Sequence, residues 1–181
     1  MKSSCRDARS KCRPTTVIDK KLWQAFVQTA ALRMGYRKGV IQEALRLRGV
    51  APLMFYQCYE STEVDGIRIT PEHVCILLTR HATCQDEHFS ESQRFVPERW
   101  MRDDEANTQR CPVHNARAML PFGNGPRTCP GRSLSLLEMN IALARLLKNF
   151  VVEAASDPSL AREVFAFTMH PTGFELKLRA R

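Results

Sequence analysis

A glycine- and proline-rich loop that leads directly into an apolar-periodic helix constrains this chain more than any other segment. The loop reads FGNGPRTCPG over residues 122–131 and carries a single cysteine, Cys129. A helix N-terminus presents unpaired backbone N–H groups and a partial positive charge, and both stabilise an anionic sulfur. Gly125 permits a tight turn, and Gly131 lets the backbone approach a bulky ligand closely. The segment is therefore suited to hold a thiolate against a metal.

Three segments have the apolar periodicity of amphipathic helices. The clearest covers residues 131–148, with one apolar stripe made of Leu134, Leu137, Ile141, Ala144 and Leu147. We expect this stripe to belong to the core. A second helix is predicted over residues 37–47, with a buried face made of Val40, Ile41, Ala44 and Leu45. A third is predicted over residues 18–33.

Short apolar runs predict strands between and after these helices. The runs are FYQCYES at 55–61, GIRI at 66–69, HVCILL at 73–78, VVEA at 151–154, FAFTM at 165–169 and FELKL at 174–178. Asp65-Gly66 and Thr172-Gly173 have the composition of turns. Residues 84–120 lack periodicity and predict a long irregular meander, whose length is understandable if it wraps one face of a cofactor.

The positive charge of the chain is concentrated at its N-terminus. Residues 1–39 hold ten Lys or Arg against two Asp, whereas residues 40–181 hold seventeen charges of each sign. Residues 1–16 lack large apolar side chains except Met1, so the composition favours a disordered, solvated arm or a truncated gene start over a targeting presequence. We expect two regions: a basic arm plus one helix at 1–34, and the folded part at 35–181. The basic segment lacks interleaved aromatic residues, which argues against nucleic-acid binding.

The cysteines do not form a recognisable framework. There are seven, an odd number, without a C-x-x-C pair, and the histidines lack metal-ligand spacing. This favours a reducing, intracellular compartment over a disulfide scaffold or a zinc site. No run of 18 apolar residues occurs, so no transmembrane helix is predicted.

The cysteine loop resembles the haem-ligand loop of the cytochrome P450 family, whose pattern is F-x-x-G-x-R-x-C-x-G. The matching residues are Phe122, Gly125, Arg127, Cys129 and Gly131. Two further family marks lie upstream in the expected order. EALR at 43–46 resembles the E-x-x-R of the K helix, and RFVPERW at 94–100 resembles the aromatic-x-Pro-Glu-Arg-aromatic segment.

The resemblance covers about residues 35–178 and implies the C-terminal half of the cytochrome P450 fold, which is mainly α with small β-sheets (α+β). No string resembles the A/G-G-x-D/E-T of the family's I helix, so the first half of the fold is expected to be missing. Several segments, such as PERWMR and LPFGNGPRTCPGR, look most similar to the branch that holds mitochondrial-type and some bacterial members.

The resemblance also implies site residues. Cys129 would be the axial thiolate ligand of haem iron, Phe122 would pack near the sulfur, and Arg127 would pair with a haem propionate. No other catalytic residue is expected in this chain. Many family members carry a basic residue just after the K-helix proline, whereas this sequence has Tyr56 and Gln57 there.

Glu43 and Arg46 are three residues apart and meet on one helix face. One interpretation is an exposed ion pair worth well under ~1 kcal/mol. The interpretation that we favour is a buried network completed by Arg99, which fixes the meander against the helix.

The implied function is a haem-dependent monooxygenase that inserts one atom of O2 into a lipophilic substrate. Its electrons would come from a ferredoxin or a flavin reductase, with Arg132 and Lys148 as candidate docking charges. The alternative is an inactive remnant that retains the haem-ligand loop. A mitochondrial or a peripheral membrane-associated location is compatible with either.

Overall fold

The computed structural model describes residues 34–101, 115–157 and 160–181. Its helices are α1 (Met34–Arg48), α2 (Thr79–Thr83) and α3 (Arg132–Asn149), and single 3₁₀ turns lie at Pro97–Trp100, Ala116–Ala118 and Gly125–Arg127. The helices predicted at 37–47 and 131–148 are confirmed as α1 and α3. The helix predicted at 18–33 lies outside the described residues.

Within the part of the chain that the structure describes, eight short strands pair into four two-stranded antiparallel sheets. The strands are β1 (Met54–Tyr56), β2 (Thr62–Val64), β3 (Ile67–Ile69), β4 (Cys75–Leu77), β5 (Phe150–Ala154), β6 (Arg162–Phe165), β7 (Met169–Thr172) and β8 (Leu176–Ala180). The pairs are β1 with β4, β2 with β3, β5 with β8, and β6 with β7. The hairpin between β2 and β3 turns at Asp65 and Gly66, whose φ angles of 50° and 77° are left-handed, as the D-G pair predicts.

Two of the strand predictions are wrong in extent. The segment 55–61 does not form one strand, because β1 ends at Tyr56 and the next strand begins at Thr62. The segment 165–169 is a chain reversal, in which the N–H of Ala166 donates to the carbonyl of Thr168 at 3.2 Å. An apolar run predicts extended structure, but only strand pairing decides where the chain turns back.

The buried face of α1 differs from the predicted one. Val40, Ile41 and Leu47 are buried, but Ala44 is exposed and Leu45 is only half-buried. The face turns instead toward Glu43 and Arg46, which are fully buried and share the helical spacing of 40, 43 and 47. A prediction from hydrophobic periodicity places charged residues in solvent. It therefore excludes Glu43 and Arg46 from the buried face and chooses Ala44 and Leu45 instead.

The apolar stripe of α3 is buried only at its C-terminal end. Leu147 is buried against Val152 of β5, with Tyr36, Leu143 and Leu146 packed around it. Leu134, Leu137 and Ile141 are 60%, 56% and 48% exposed, so the expectation that they belong to the core is wrong for the described residues. The reason is that α3 packs on α1 and β5 and leaves the first half of this stripe uncovered.

Within the described ranges, no helix is both long enough and apolar enough to cross a membrane.

Candidate functional site

The cysteine loop is closed by its own hydrogen bonds. The N–H of Cys129 donates to the carbonyl of Phe122 at 2.8 Å, and the N–H of Thr128 donates to the carbonyl of Gly125 at 3.1 Å. Gly123 and Gly125 have φ angles of 72° and 70°, a conformation that glycine adopts without steric cost. The loop is thereby folded into a compact turn that fixes Cys129 opposite Phe122.

Cys129 lies directly before α3, whose first residue is Arg132. The thiol is free and half-buried. The N–H of Arg132 donates to the carbonyl oxygen of Cys129 at 3.3 Å and not to its sulfur. A Cβ added to Gly131 would lie 3.8 Å from Sγ of Cys129, so the glycine keeps one side of the sulfur clear.

Among the described residues, protein side chains do not complete a metal site around this sulfur. Across residues 34–101, 115–157 and 160–181, no group of three or more His, Cys, Asp or Glu could hold a metal ion. A single thiolate suits a metal whose remaining ligands come mainly from an organic macrocycle. Cys129 would supply one sulfur donor to such a group.

Arg127 lies on the exposed side of the loop and reaches toward the segment after β1. Its Nη2 donates to the phenol oxygen of Tyr59 at 2.7 Å. Tyr56 also lies against the loop, because a Cβ added to Gly123 would be 3.7 Å from the Tyr56 Oη. The amide of Gln57 turns away and donates to the carbonyl of Pro71. Sequence reasoning did not identify Tyr59, because a contact across 68 positions leaves no local signal.

The structure brings Glu43, Arg46 and Arg99 together. Arg46 donates through Nε and Nη2 to the two carboxylate oxygens of Glu43, at 2.9 and 2.8 Å. Arg99 donates through Nε to Oε1 of Glu43 at 3.1 Å. All three side chains are fully buried, so the exposed ion pair considered above does not describe this site.

The two arginines also bind backbone carbonyls at the end of α2 and in the meander. Their further acceptors are the carbonyls of Thr83 at 2.8 Å, Ser92 at 2.6 Å, Arg94 at 2.9 Å and Ser90 at 3.0 Å. Buried guanidinium groups need such acceptors, because an unpaired donor in the interior costs about 1–3 kcal/mol. The network therefore fixes the described start of the irregular meander against α1.

Two further groups, which sequence reasoning missed, donate hydrogen bonds to Glu43. Trp100 donates its indole N–H to Oε2 of Glu43 at 2.8 Å, and the N–H of Val96 donates to Oε1 at 3.0 Å. Burial alone would raise the pKa of Glu43, but the hydrogen bonds and charge of Arg46, followed by Val96 and Trp100, hold that pKa below its usual value. The carboxylate is therefore kept ionised inside the protein.

A cavity of about 710 Å³ lies between the start of α1 and the cysteine loop. The described part of its lining includes three basic side chains, Lys38, Arg117 and Arg132, and no acidic one. Cys129 does not line it, so the cavity flanks the loop and is not the sulfur's own pocket. Of the two candidate docking charges, Arg132 borders the cavity, whereas Lys148 lies about 24 Å along α3 at 1.5 Å per residue.

Comparisons with known proteins identify the family of this chain. The family model described as Cytochrome P450 matches residues 17–178. The probable mitochondrial cytochrome P450 12b2 of Drosophila melanogaster is 32% identical over 123 residues, which cover 66% of this chain and 23% of that protein. The mitochondrial sterol 26-hydroxylase of Homo sapiens is 32% identical over 135 residues, which cover 74% of this chain and 25% of that protein.

A solved structure shows the fold. The heme domain of a cytochrome P450DA mutant superimposes with a TM-score of 0.71 and 24% identity, over 85% of this chain and 34% of that one. This confirms the predicted mainly α fold with small sheets. The chain spans about a quarter of the length of the two curated relatives above. It belongs to the cytochrome P450 family and corresponds to the C-terminal part of that longer fold.

Proposed function

We propose that this chain supplies the haem-ligand part of a monooxygenase. When bound, a haem with an axial thiolate provides the electron-rich iron that activates O2 for insertion of one oxygen atom into an organic substrate. The substrate class that we propose is lipophilic. The observation that carries the proposal is the closed loop that presents the free, half-buried Cys129 at the start of α3.

The residues of the loop fit a haem. Cys129 would be the iron ligand, and Gly131 leaves open the space beside its sulfur into which a Cβ would project. Phe122, half-buried beside the cysteine in the closed loop, would keep water from the sulfur. The donor set consists of one thiolate, which matches a metal already held by four porphyrin nitrogens.

The remaining parts of the site would position this loop and bind the cofactor's carboxylates. Arg127 carries guanidinium donors that can pair with a propionate in a bidentate way. The network of Glu43, Arg46 and Arg99 would hold the meander in place near the loop. These roles are orientation and charge pairing, and no proton transfer is assigned to them.

The electron donor that we propose is an acidic protein that docks beside the cysteine loop. Among the described residues, the cavity there is lined by Lys38, Arg117 and Arg132 and by no carboxylate, and a field of one sign steers an oppositely charged partner. A ferredoxin fits this chemistry, with a flavin reductase as the alternative.

Because the names of several relatives describe mitochondrial proteins, we propose a mitochondrial location, with peripheral membrane association as the alternative.

The test is the absorption spectrum of the reduced, carbon monoxide-treated chain after haem loading. We expect the Soret band typical of thiolate ligation in the native protein and its loss in Cys129→Ser. Cys75→Ser is the matched control, because Cys75 is also free and half-buried but lies in β4. The proposal fails if Cys129→Ser and Cys75→Ser give the same spectrum as the native chain.

A second candidate is an inactive remnant that retains the haem-ligand loop. It is favoured by the exposed first half of the α3 stripe, since a large uncovered apolar face promotes association. Light scattering and turnover assays with a ferredoxin or a flavin reductase separate the two. A soluble, haem-loaded chain that oxidises a substrate would rule out the remnant, whereas an aggregated chain without turnover would support it.

A further inference from the structure

Arg127 and Tyr59 form a contact that no part of the loop's own hydrogen bonding requires. The guanidinium Nη2 of Arg127 lies 2.7 Å from the phenol oxygen of Tyr59, across 68 positions of sequence. The loop closes through backbone donors and acceptors of Phe122, Gly125, Thr128 and Cys129, none of which involves this pair. The contact therefore fixes the direction of the Arg127 side chain rather than the path of the loop.

The contact leaves most of the arginine's donors available. A guanidinium has five N–H donors in a planar fork. Among the described residues, the bond to Tyr59 is the only side-chain hydrogen bond of Arg127, and no salt bridge engages it there. The phenol is a neutral acceptor, so it aligns the fork without neutralising its charge. An aligned and still uncompensated cation is prepared for a carboxylate.

Tyr59 itself is poorly supported as a packing residue. Its side chain is 85% exposed, so the hydroxyl contact, and not burial of the ring, is its principal interaction. Tyr56 lies against the same loop but touches it at Gly123, and its hydroxyl donates to the sulfur of Met54 at 3.6 Å. Of the two tyrosines on this side of the loop, only Tyr59 contacts the cationic side chain.

We propose that Tyr59 is a positioning residue that holds Arg127 for a carboxylate of the bound cofactor. The ligand class is a porphyrin that carries free propionates. The inference rests on the proposed function, because it concerns the same loop, but it depends on the cofactor's carboxylates and not on the bond between sulfur and iron. The two can therefore be tested apart.

The experiment measures by fluorescence the affinity of the full chain for metal-free protoporphyrin IX. The dimethyl ester of the same porphyrin is the matched ligand. Without iron, binding does not require Cys129. We expect Tyr59→Phe to weaken binding of the diacid roughly five- to tenfold, which lies within the net contribution of one typical intramolecular hydrogen bond. Binding of the dimethyl ester should change less than twofold.

A double-mutant cycle with Arg127→Gln shows whether Tyr59 acts through the arginine. If it does, Tyr59→Phe should have no further effect on diacid binding once Arg127 has been replaced. Tyr36→Phe is the control variant, because Tyr36 also loses a hydroxyl contact but packs at the far end of α3 against Leu147 and Val152. It should leave the ratio of diacid to ester affinity unchanged.

Each other outcome overturns the proposal. Equal weakening of diacid and ester would show that Tyr59 only braces the loop, and unchanged affinities would show that the contact has no role in binding. If the native chain does not distinguish the diacid from the ester, there is no carboxylate site for Tyr59 to support.

The ligand role of Cys129 is tested separately. Loss of thiolate-type absorption in iron-loaded Cys129→Ser, with metal-free binding retained, would confirm that role whatever the result at Tyr59.

Discussion

Arg46 donates hydrogen bonds to both carboxylate oxygens of Glu43, one helical turn away, at 2.9 and 2.8 Å, and neither side chain has any exposed surface. A second pair on the meander, Glu91 and Arg94, has the same chemistry and the same spacing, with its closest contact at 2.7 Å, but both of its side chains are exposed. The chain therefore contains its own comparison between a buried and a solvated version of one ion pair.

Replacing Glu43 by Gln should be severely destabilising. The substitution keeps the shape of the side chain but leaves Arg46 and Arg99 as buried cations without a counter-charge, which costs about 3–5 kcal/mol. Glu91→Gln removes the exposed partner and should cost less than about 1 kcal/mol. Urea unfolding followed by circular dichroism measures both. Equal unfolding midpoints for the two variants would contradict a buried network.

The same carboxylate should make the stability of the chain sensitive to acid. Because the pKa of Glu43 is lower in the folded state than its ordinary value of 4.5, the folded state binds fewer protons there than the unfolded state. The stabilisation is present above pH 4.5 and is lost as the pH falls through the folded-state pKa. The difference in unfolding free energy between native chain and Glu43→Gln should shrink over that range, and a constant difference would argue against ionised Glu43.

Gly39→Ala should destabilise the chain although it improves helix propensity. Alanine is better than glycine in a helix by about 1 kcal/mol. A Cβ at position 39, however, would lie 2.6 Å from the carbonyl oxygen of Pro97, which begins the 3₁₀ turn that carries Arg99 and Trp100. Backbone cannot yield as a flexible side chain does, so overpacking of about 1–3 kcal/mol should exceed the propensity gain.

Ala44→Gly is the control for this prediction, because Ala44 is exposed on the same helix and has only propensity to lose. In a thermal unfolding experiment, both variants should unfold at a lower temperature than the native chain. A Gly39→Ala variant that unfolds at a higher temperature than the native chain would show that α1 and the turn at Pro97 do not pack as closely as the distance requires.

Ionisation of Tyr36 should lower the free energy of unfolding at alkaline pH. Burial, with the charge and hydrogen bond of Glu98 adding to it, raises the pKa of Tyr36 from 10.0 to about 12. The unfolded state therefore releases this proton at lower pH than the folded state, and stability should fall as the pH rises between about 10 and about 12. Tyr36→Phe should remove that slope relative to the native chain. Parallel pH profiles for the two would show that the phenol is not shielded in the fold.

Local chemistry was sufficient to predict α1, α3 and the turn at Asp65-Gly66. Each depends on residues within about one or two helical turns, whose spacing and φ preferences are visible in the sequence. The loop motif likewise identified Cys129 and Arg127, because its glycines and its position before α3 are local properties. The role of Arg127 toward a carboxylate and the ligand role of Cys129 stay predictions, with the experiments above as their tests.

The sequence alone determined that α1 and α3 are helical, where the chain carries a thiol at a helix start, and which family the pattern belongs to, but it did not predict the short helix α2. Only the tertiary structure decided that α1 buries Glu43 and Arg46, that Trp100 and Val96 complete their network, and that Tyr59 meets Arg127. The physical reason is that burial of a charge depends on partners contributed by distant segments. Hydrophobic periodicity records only the average preference of each residue for water, whereas a carboxylate becomes a core residue when several distant donors converge on it.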